Sequence, residues 1–139
     1  MRHNEPVSNI MSSQIQTVHT AQKVSDVYRL LTENKIHHVP VVDGNALVGV
    51  ISSTDMMKLS LDAYGTPDAA NTEYLDSQFS IPDIMTTDLI TVGHDDSIRL
   101  AAEKLSVGTY HSLPVIGSDD QLVGIVTTTD LVNYLLAQY

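Results

Sequence analysis

The sequence has no cysteine, few cations and no long apolar run. Without cysteine, a disulfide scaffold, a thiolate zinc site and a cysteine nucleophile are all excluded. Only seven lysine and arginine residues oppose 17 aspartate and glutamate residues, and the formal net charge is −10. Nucleic-acid phosphates are held by clustered cations, so the charge balance argues against a DNA- or RNA-binding role. Any phosphate bound by this chain must be held locally, by backbone NH groups and a few side chains.

The apolar residues are spread along the chain. No apolar run approaches the roughly 20 residues that a membrane-spanning helix needs, and the opening residues MRHNEPVSNI lack the apolar core of a signal peptide. We therefore expect a cytoplasmic location and no membrane contact. Hydrophobic residues make up 42% of the 139 residues and charged residues 17%, which is typical of a globular protein.

An internal duplication is the strongest pattern in the sequence. Four blocks of similar residues recur in the same order, three at a shift of 74 residues and the last at a shift of 75. A repeat of this length predicts two copies of one supersecondary unit. The paired blocks are Ile10–Ser12 and Ile84–Thr86, Thr17–Val18 and Thr91–Val92, His37–Val42 and His111–Ile116, and Leu47–Asp55 and Leu122–Asp130.

Each copy predicts the order β-α-β-β-α. An extended piece around Ile15–Val18 precedes a helix with one apolar face, and two strands rich in β-branched residues follow, joined by a Gly- and Asp-containing turn. A second helix is predicted to begin near Thr54 in the first copy and near Thr129 in the second. The helix faces consist of Val24, Val27, Leu30 and Leu31, and of Ile98, Ala101, Ala102 and Leu105; the strands are Val39–Val42, Leu47–Ile51, Leu113–Ile116 and Leu122–Val126.

The predicted fold class is α/β (α+β), with the two repeats packed sheet to sheet as a pseudo-twofold pair, because one copy has a thin core by itself. The repeats are placed at residues 7–60 and 81–139, with a linker at residues 61–80 that can hold a helical turn. The last helix has a spare apolar face, which either packs on its own sheet or contacts a second chain in a homodimer. That face consists of Leu131, Val132, Leu135 and Leu136.

The strand-to-helix junctions are the candidate binding positions. The NH groups at a helix N-terminus favour phosphate, and the carboxylate of Asp55 can accept hydrogen bonds from ribose hydroxyls. The alternative is that Ser, Thr and Asp here only cap the helix. Recurrence of the whole pattern in the second copy favours a ligand in addition to the cap. The hydroxyl residues are Ser52 and Thr54 in the first copy and Thr127 and Thr129, beside Asp130, in the second.

These motifs resemble those of the CBS-domain family, named after cystathionine β-synthase: Ile-Met early in each copy, a His-x-x-Pro-Val strand, and a final Gly, two apolar residues, Ser or Thr, two further residues and Asp. The resemblance implies a regulatory pair that binds AMP, ADP, ATP or S-adenosylmethionine and dimerises into a disc. It also implies that Asp55 and Asp130 bind ribose, and that the nearby hydroxyls contact sugar or phosphate. Such pairs control an attached enzyme, channel or transporter.

The resemblance places His37 and His111 near phosphate and adenine, although a lone His near a strand start is more often a surface residue or one whose hydrogen bonds are already satisfied. Some family members carry arginine at the next position, where this chain has His38 and Ser112. Because neutral His and Ser offer little charge, AMP, ADP or S-adenosylmethionine is favoured over ATP. His38 would strengthen phosphate binding below about pH 6.5 by becoming cationic.

For the base, Val50 and Ile125 are candidates for the floor of an apolar slot. The resemblance also implies crossed sites, in which the aspartate of one copy holds ribose while adenine packs on the other. Asp130 would then work with Ile15, Gln16, Ile36 and His37, and Asp55 with Leu89, Ile90, Tyr110 and His111. The alternative for the apolar members of these sets is an ordinary core.

The sequence therefore predicts a sensor of an adenosine-containing nucleotide that relays binding to an unidentified partner protein. The alternative is a structural dimerisation module without a ligand. We find no nucleophile–base pair, no Gly-rich phosphate loop and no paired His/Asp/Glu spacing typical of zinc, so no catalysis, catalytic cofactor or metal is predicted.

Overall fold

A computed structural model describes residues 4–34, 36–62 and 72–139. Each copy shows the predicted β-α-β-β-α order, and short helices join the two copies. The helices are α1 (Val24–Glu33), α2 (Ser53–Asp62), α3 (Thr72–Gln78), α4 (Ile81–Ile84), α5 (Ile98–Ser106) and α6 (Thr128–Gln138). The strands are β1 (Val18–His19), β2 (His38–Asp43), β3 (Ala46–Ser52), β4 (Val92–Gly93), β5 (Ser112–Ile116) and β6 (Leu122–Thr127).

The strands form two three-stranded sheets of the same topology, and this confirms the predicted mixed fold class. In the sheet β1-β2-β3 the first pair is parallel and the second antiparallel, and β4-β5-β6 repeats both pairings. The β2–β3 hairpin turns at Gly44, whose φ of +63° suits a residue without a Cβ. The extended piece predicted around Ile15–Val18 is shorter than expected, since β1 begins only at Val18.

The described chain divides into two compact units, and each has its own core. The first unit comprises residues 16–89, and the second comprises residues 4–15 with 90–139. In the first, Val24, Val27 and Leu31 of α1 are buried together with Val39, Val41 and Ile51 of the sheet. In the second, Ala101 and Leu105 of α5 are buried with Leu113, Val115 and Val126. The helix faces predicted from periodicity are thus the faces that cover the sheets.

Each Ile-Met segment lies in the compact unit that contains the strands of the other sequence copy, and the repeat did not predict this exchange. The segment containing Met11 lies in the second unit, where Ser12 and Ile125 exchange two backbone hydrogen bonds of 2.8 and 2.9 Å. The matching segment after α4 lies in the first unit, where Thr86 and Val50 exchange bonds of 2.8 and 3.0 Å. Each Ile-Met segment therefore extends the sheet formed by the strands of the other sequence copy. The boundaries 7–60, 61–80 and 81–139 stay a prediction about the sequence repeats.

The linker contributes a helix to the first unit. Leu75 of α3 is buried in the first core, and the Asp76 carboxylate accepts hydrogen bonds from the backbone N (2.8 Å) and the Oγ (2.7 Å) of Ser25 in α1. The helical turn expected in the linker is thus confirmed by α3, while residues 63–71 of the predicted linker lie outside the described residues. Among the described residues, no helix is long and apolar enough to cross a membrane.

Candidate functional site

The junction between β3 and α2 forms a reciprocal helix cap. The backbone N of Ser52 donates to Asp55 Oδ2 at 2.9 Å, and the backbone N of Asp55 donates to Ser52 Oγ at 3.1 Å. Such a pair of bonds satisfies two of the NH groups that a helix start leaves without intrahelical partners. Because the cap is centred on Ser52, the helix begins at Ser53, one residue before the predicted start at Thr54.

The junction between β6 and α6 has the same geometry. The backbone N of Thr127 donates to Asp130 Oδ2 at 2.8 Å, and the backbone N of Asp130 donates to Thr127 Oγ1 at 3.1 Å. In both junctions the bond to Oδ2 fixes the carboxylate. Within the described part of the chain, Oδ1 of Asp55 and of Asp130 has no hydrogen-bond donor. Capping therefore occupies one oxygen of each carboxylate and leaves the other as an acceptor.

The predicted histidine positions lie beside these caps. The backbone O of His37 accepts from Ser53 N at 2.8 Å, and the backbone O of His111 accepts from Thr128 N at 3.0 Å. In the strand register His38 is the partner of Ser52, and Ser112 is the partner of Thr127. Each unit therefore brings its predicted His, hydroxyl and carboxylate residues to one corner. The Thr54 and Thr129 side chains of the predicted set are exposed in the first turn of their helices.

A cavity of about 630 Å³ opens beside the corner of the first unit. It lies between α1, the segment that leads into β2 and the first turns of α2, and its volume is within the range of small-molecule pockets. Ile36 and His37, both predicted to contact nucleotide, line this cavity. The full lining is Tyr28, Leu31, Thr32, Ile36, His37, Ser53, Met56 and Met57.

The adenine candidates Val50 and Ile125 lie in the strands and are partly buried. Their backbone NH and CO groups are hydrogen-bonded to Thr86 and Ser12, two residues that the predicted site did not include. The recurrence of Ile-Met-Ser/Thr in both copies marks the two segments in the sequence, but it does not indicate which strand each one contacts.

The two crossed sets stay a prediction, because each draws on residues of both units. Ile15, Ile90 and Tyr110 belong to the second unit, and Gln16, Ile36 and Leu89 to the first. Ile15, Ile36 and Leu89 are partly buried, whereas Gln16, Ile90 and Tyr110 are exposed. Among the described residues, no group of three His, Asp or Glu side chains is placed to hold a metal ion.

Comparison with protein families decides the assignment. The model of the CBS domain matches residues 7–62 and again residues 81–137. The chain belongs to the CBS-domain family. The family resemblance read from the motifs is thereby confirmed, and both matches include a strand-to-helix corner.

Solved CBS-domain structures share the fold along nearly the whole chain. CBSX2 of Arabidopsis thaliana is 28% identical with a TM-score of 0.80, covering 97% of this chain and 96% of that one. CBSX2 in complex with AMP is similar at 27% identity and a TM-score of 0.79, covering 96% and 98%. The CBS domain pair of protein MJ0100, in complex with 5′-methylthioadenosine and S-adenosyl-L-methionine, is 27% identical with a TM-score of 0.73, covering 94% and 98%.

Curated relatives that contain this module are longer proteins. An uncharacterised protein of Methanocaldococcus jannaschii is 28% identical over 133 residues, which are 94% of this chain and 47% of that protein. A homoserine O-acetyltransferase of Methanohalobium evestigatum is 31% identical over 126 residues, 90% of this chain and 23% of the enzyme. The chain thus spans half or less of the length of these relatives.

Proposed function

We propose that this CBS-domain chain is a regulatory module that binds an adenosine-containing ligand and relays binding to a partner protein. The observation that supports this most is the duplicated corner, in which a fixed carboxylate retains one oxygen as an acceptor. The complexes of similar CBS pairs with AMP, 5′-methylthioadenosine and S-adenosylmethionine support the ligand class.

In the proposed binding mode, Oδ1 of Asp55 or Asp130 accepts hydrogen bonds from the ribose hydroxyls. The hydroxyls of Ser52 and Thr127 already accept a backbone NH, and each still has its own hydrogen to donate to a sugar or phosphate oxygen. A net charge of −10, and the absence of arginine from the positions of His38 and Ser112, favour AMP, ADP or S-adenosylmethionine over ATP.

The ligand would act by shifting the populations of conformations that a partner distinguishes. We propose no catalytic step, because the two aspartates occupy equivalent corners of two copies and thus suit two binding sites. We also propose that the chain is cytoplasmic and does not bind nucleic acid, and both proposals rest on composition and charge.

Calorimetric titration of AMP into matched carboxamide variants tests the site. Asp130→Asn should lose about 10- to 150-fold in affinity, since a charged acceptor contributes roughly 1.5–3 kcal/mol. The control is Asp96→Asn, because Asp96 Oδ2 accepts Gly93 N at 2.7 Å in a similar turn away from either corner. Equal losses in both variants, or equal AMP affinity in the wild type and the Asp55→Ala/Asp130→Ala double variant, would contradict the assignment.

A thermal-shift panel separates a sensor from a ligand-free dimerisation module. A ligand that binds only the native state must raise the melting temperature. We expect at least one of AMP, ADP and S-adenosylmethionine at millimolar concentration to do so. If neither these ligands nor ATP raises the melting temperature, the chain is a ligand-free dimerisation module.

We also propose a homodimer through α6. Leu131 packs against the second core, so this residue follows the alternative in which α6 packs on its own unit. Val132, Leu135 and Leu136 are 49%, 44% and 67% exposed, which leaves an apolar strip on the helix. Sedimentation equilibrium should show a dimer that Leu136→Lys weakens and Val107→Lys, at a 74% exposed apolar residue outside α6, does not. A monomer at all concentrations would contradict the proposal.

A further inference from the structure

The two corners are alike in their caps but differ in one ionisable side chain. The strand register pairs His38 with Ser52 in the first unit and Ser112 with Thr127 in the second. Both partner hydroxyls belong to the cap that fixes an aspartate. An imidazole therefore stands in the first corner where the second corner has a hydroxyl.

The alternation along β2 determines which histidine shares a face with the cap. Val39, the next residue, is fully buried in the core on the helix side of the sheet. Successive strand residues point to opposite faces, and paired residues of antiparallel strands point to the same face. His38 therefore shares its face with Ser52, whereas His37 lines the cavity beside α1 and α2. Both helices pack on the Val39 side of the sheet.

The negative charge around each corner makes the difference between His38 and Ser112 important for binding a charged ligand. In a chain of net charge −10, each corner adds a carboxylate of its own, and a 5′-phosphate ester bound nearby is repelled unless a cation opposes it. An imidazole can gain a proton near neutral pH, and a nearby phosphate favours its charged form. A serine hydroxyl can only donate a hydrogen bond.

We propose that the two adenosine sites of this chain select ligands of different charge. The site containing His38 takes an anionic 5′-phosphate ester such as AMP. The site containing Ser112 takes an adenosine whose 5′ substituent is neutral or cationic, such as a thioether or a sulfonium. The inference rests on the proposed function and deepens it, because it distributes the candidate ligands between the sites through one residue.

Single-site chains allow each site to be measured separately. Asp55→Ala and Asp130→Ala each remove one carboxylate, and calorimetry at pH 6.0 then gives the affinity ratio of AMP to adenosine at the site that remains. We expect His38→Ser to lower this ratio about tenfold only in the Asp130→Ala chain, which keeps the corner of His38 and Asp55. Ser112→His should raise it about tenfold only in the Asp55→Ala chain, which keeps the corner of Ser112 and Asp130. Adenosine is the internal control, since its affinity should stay unchanged if the variants are folded.

His94→Ser is the matched control for removing a histidine, because His94 contacts Asp95 outside both corners and should leave the ratio unchanged. Ratios that stay constant in both backgrounds would overturn the inference while leaving the proposed function intact. Equal changes in both backgrounds would also overturn it, because a long-range field would then account for them. Failure of the unsubstituted chain to bind any adenosine compound would instead contradict the proposed function.

Discussion

The contact between each Ile-Met segment and a strand glycine should make both glycines intolerant of alanine. A Cβ on Gly124 would lie 2.9 Å from Met11 Cγ and 3.0 Å from the backbone oxygen of Ser12, with Met11 Sδ closer still. A Cβ on Gly49 would lie 2.5 Å from Met85 Sδ and 2.8 Å from its Cγ. All of these separations are below normal van der Waals contact, so in both cases the methionine must move.

The two substitutions should differ in magnitude. Adding a methyl group to a filled space typically costs about 1–3 kcal/mol. At Gly49 the three nearest atoms all belong to the flexible side chain of Met85, which can rotate, so we expect about 1–2 kcal/mol. At Gly124 the Ser12 oxygen also accepts a hydrogen bond from Ile125 N at 2.9 Å. The backbone must then shift as well, and we expect about 2–3 kcal/mol.

Urea unfolding followed by circular dichroism measures both free energies. The Met11→Ala/Gly124→Ala double variant is the informative control, because removing the methionine relieves the part of the clash that comes from its side chain. Its loss should fall below the sum of the single losses by at least about 0.5 kcal/mol. A Gly124→Ala chain as stable as the wild type, or strict additivity in the double variant, would refute the docking of the segment on this strand.

Two further stability predictions follow from the cores and the linker. Asp76→Ala should destabilise the first unit by about 1–3 kcal/mol, because two donors of Ser25 lose their acceptor. The control is Asp95→Ala, which removes an exposed carboxylate. An equally large loss of stability in this control would show that the effect of Asp76→Ala is not local. Ile51→Ala should cost about 2–5 kcal/mol at a fully buried position, whereas Val107→Ala, at a 74% exposed one, should change stability by less than about 0.5 kcal/mol. Chemical denaturation of the variants in parallel tests both, and similar losses at Ile51 and Val107 would contradict the assigned cores.

Periodicity explains why much of the fold could be predicted. The spacing of Val24, Val27 and Leu31 is helical, and these side chains are the ones that α1 buries. The four β-branched strands were placed within one residue of their observed ends, because composition and turn residues both mark a hairpin. The helix starts were predicted one residue late, since the capping residue and not the periodic face determines where hydrogen bonding begins.

Contacts between distant segments leave no period in the sequence, and these are the features that were missed. Nothing in the spacing of Ile10 and Met11 indicates that this segment bonds to Ile125 of the other copy. The bond between Ser25 and Asp76, 51 residues apart, has no local signal either. The duplication predicted that two equivalent segments exist, but only coordinates identify the strand on which each one lies.

At the candidate site, each aspartate was expected to cap its helix and also to bind a ligand, and the geometry is compatible with both roles. A carboxylate has two oxygens, and the cap at each corner uses only Oδ2. Holding the side chain in one rotamer before binding reduces the conformational entropy lost when a ligand is ordered, which for a mobile side chain is roughly 0.5–1.5 kcal/mol. In the proposed binding mode, the cap would therefore lower the entropic cost of a sugar contact at Oδ1 of Asp55 and Asp130. The same cap recurs in both copies, and Oδ1 of each aspartate keeps its lone pairs for the ribose hydroxyls that we propose as its donors.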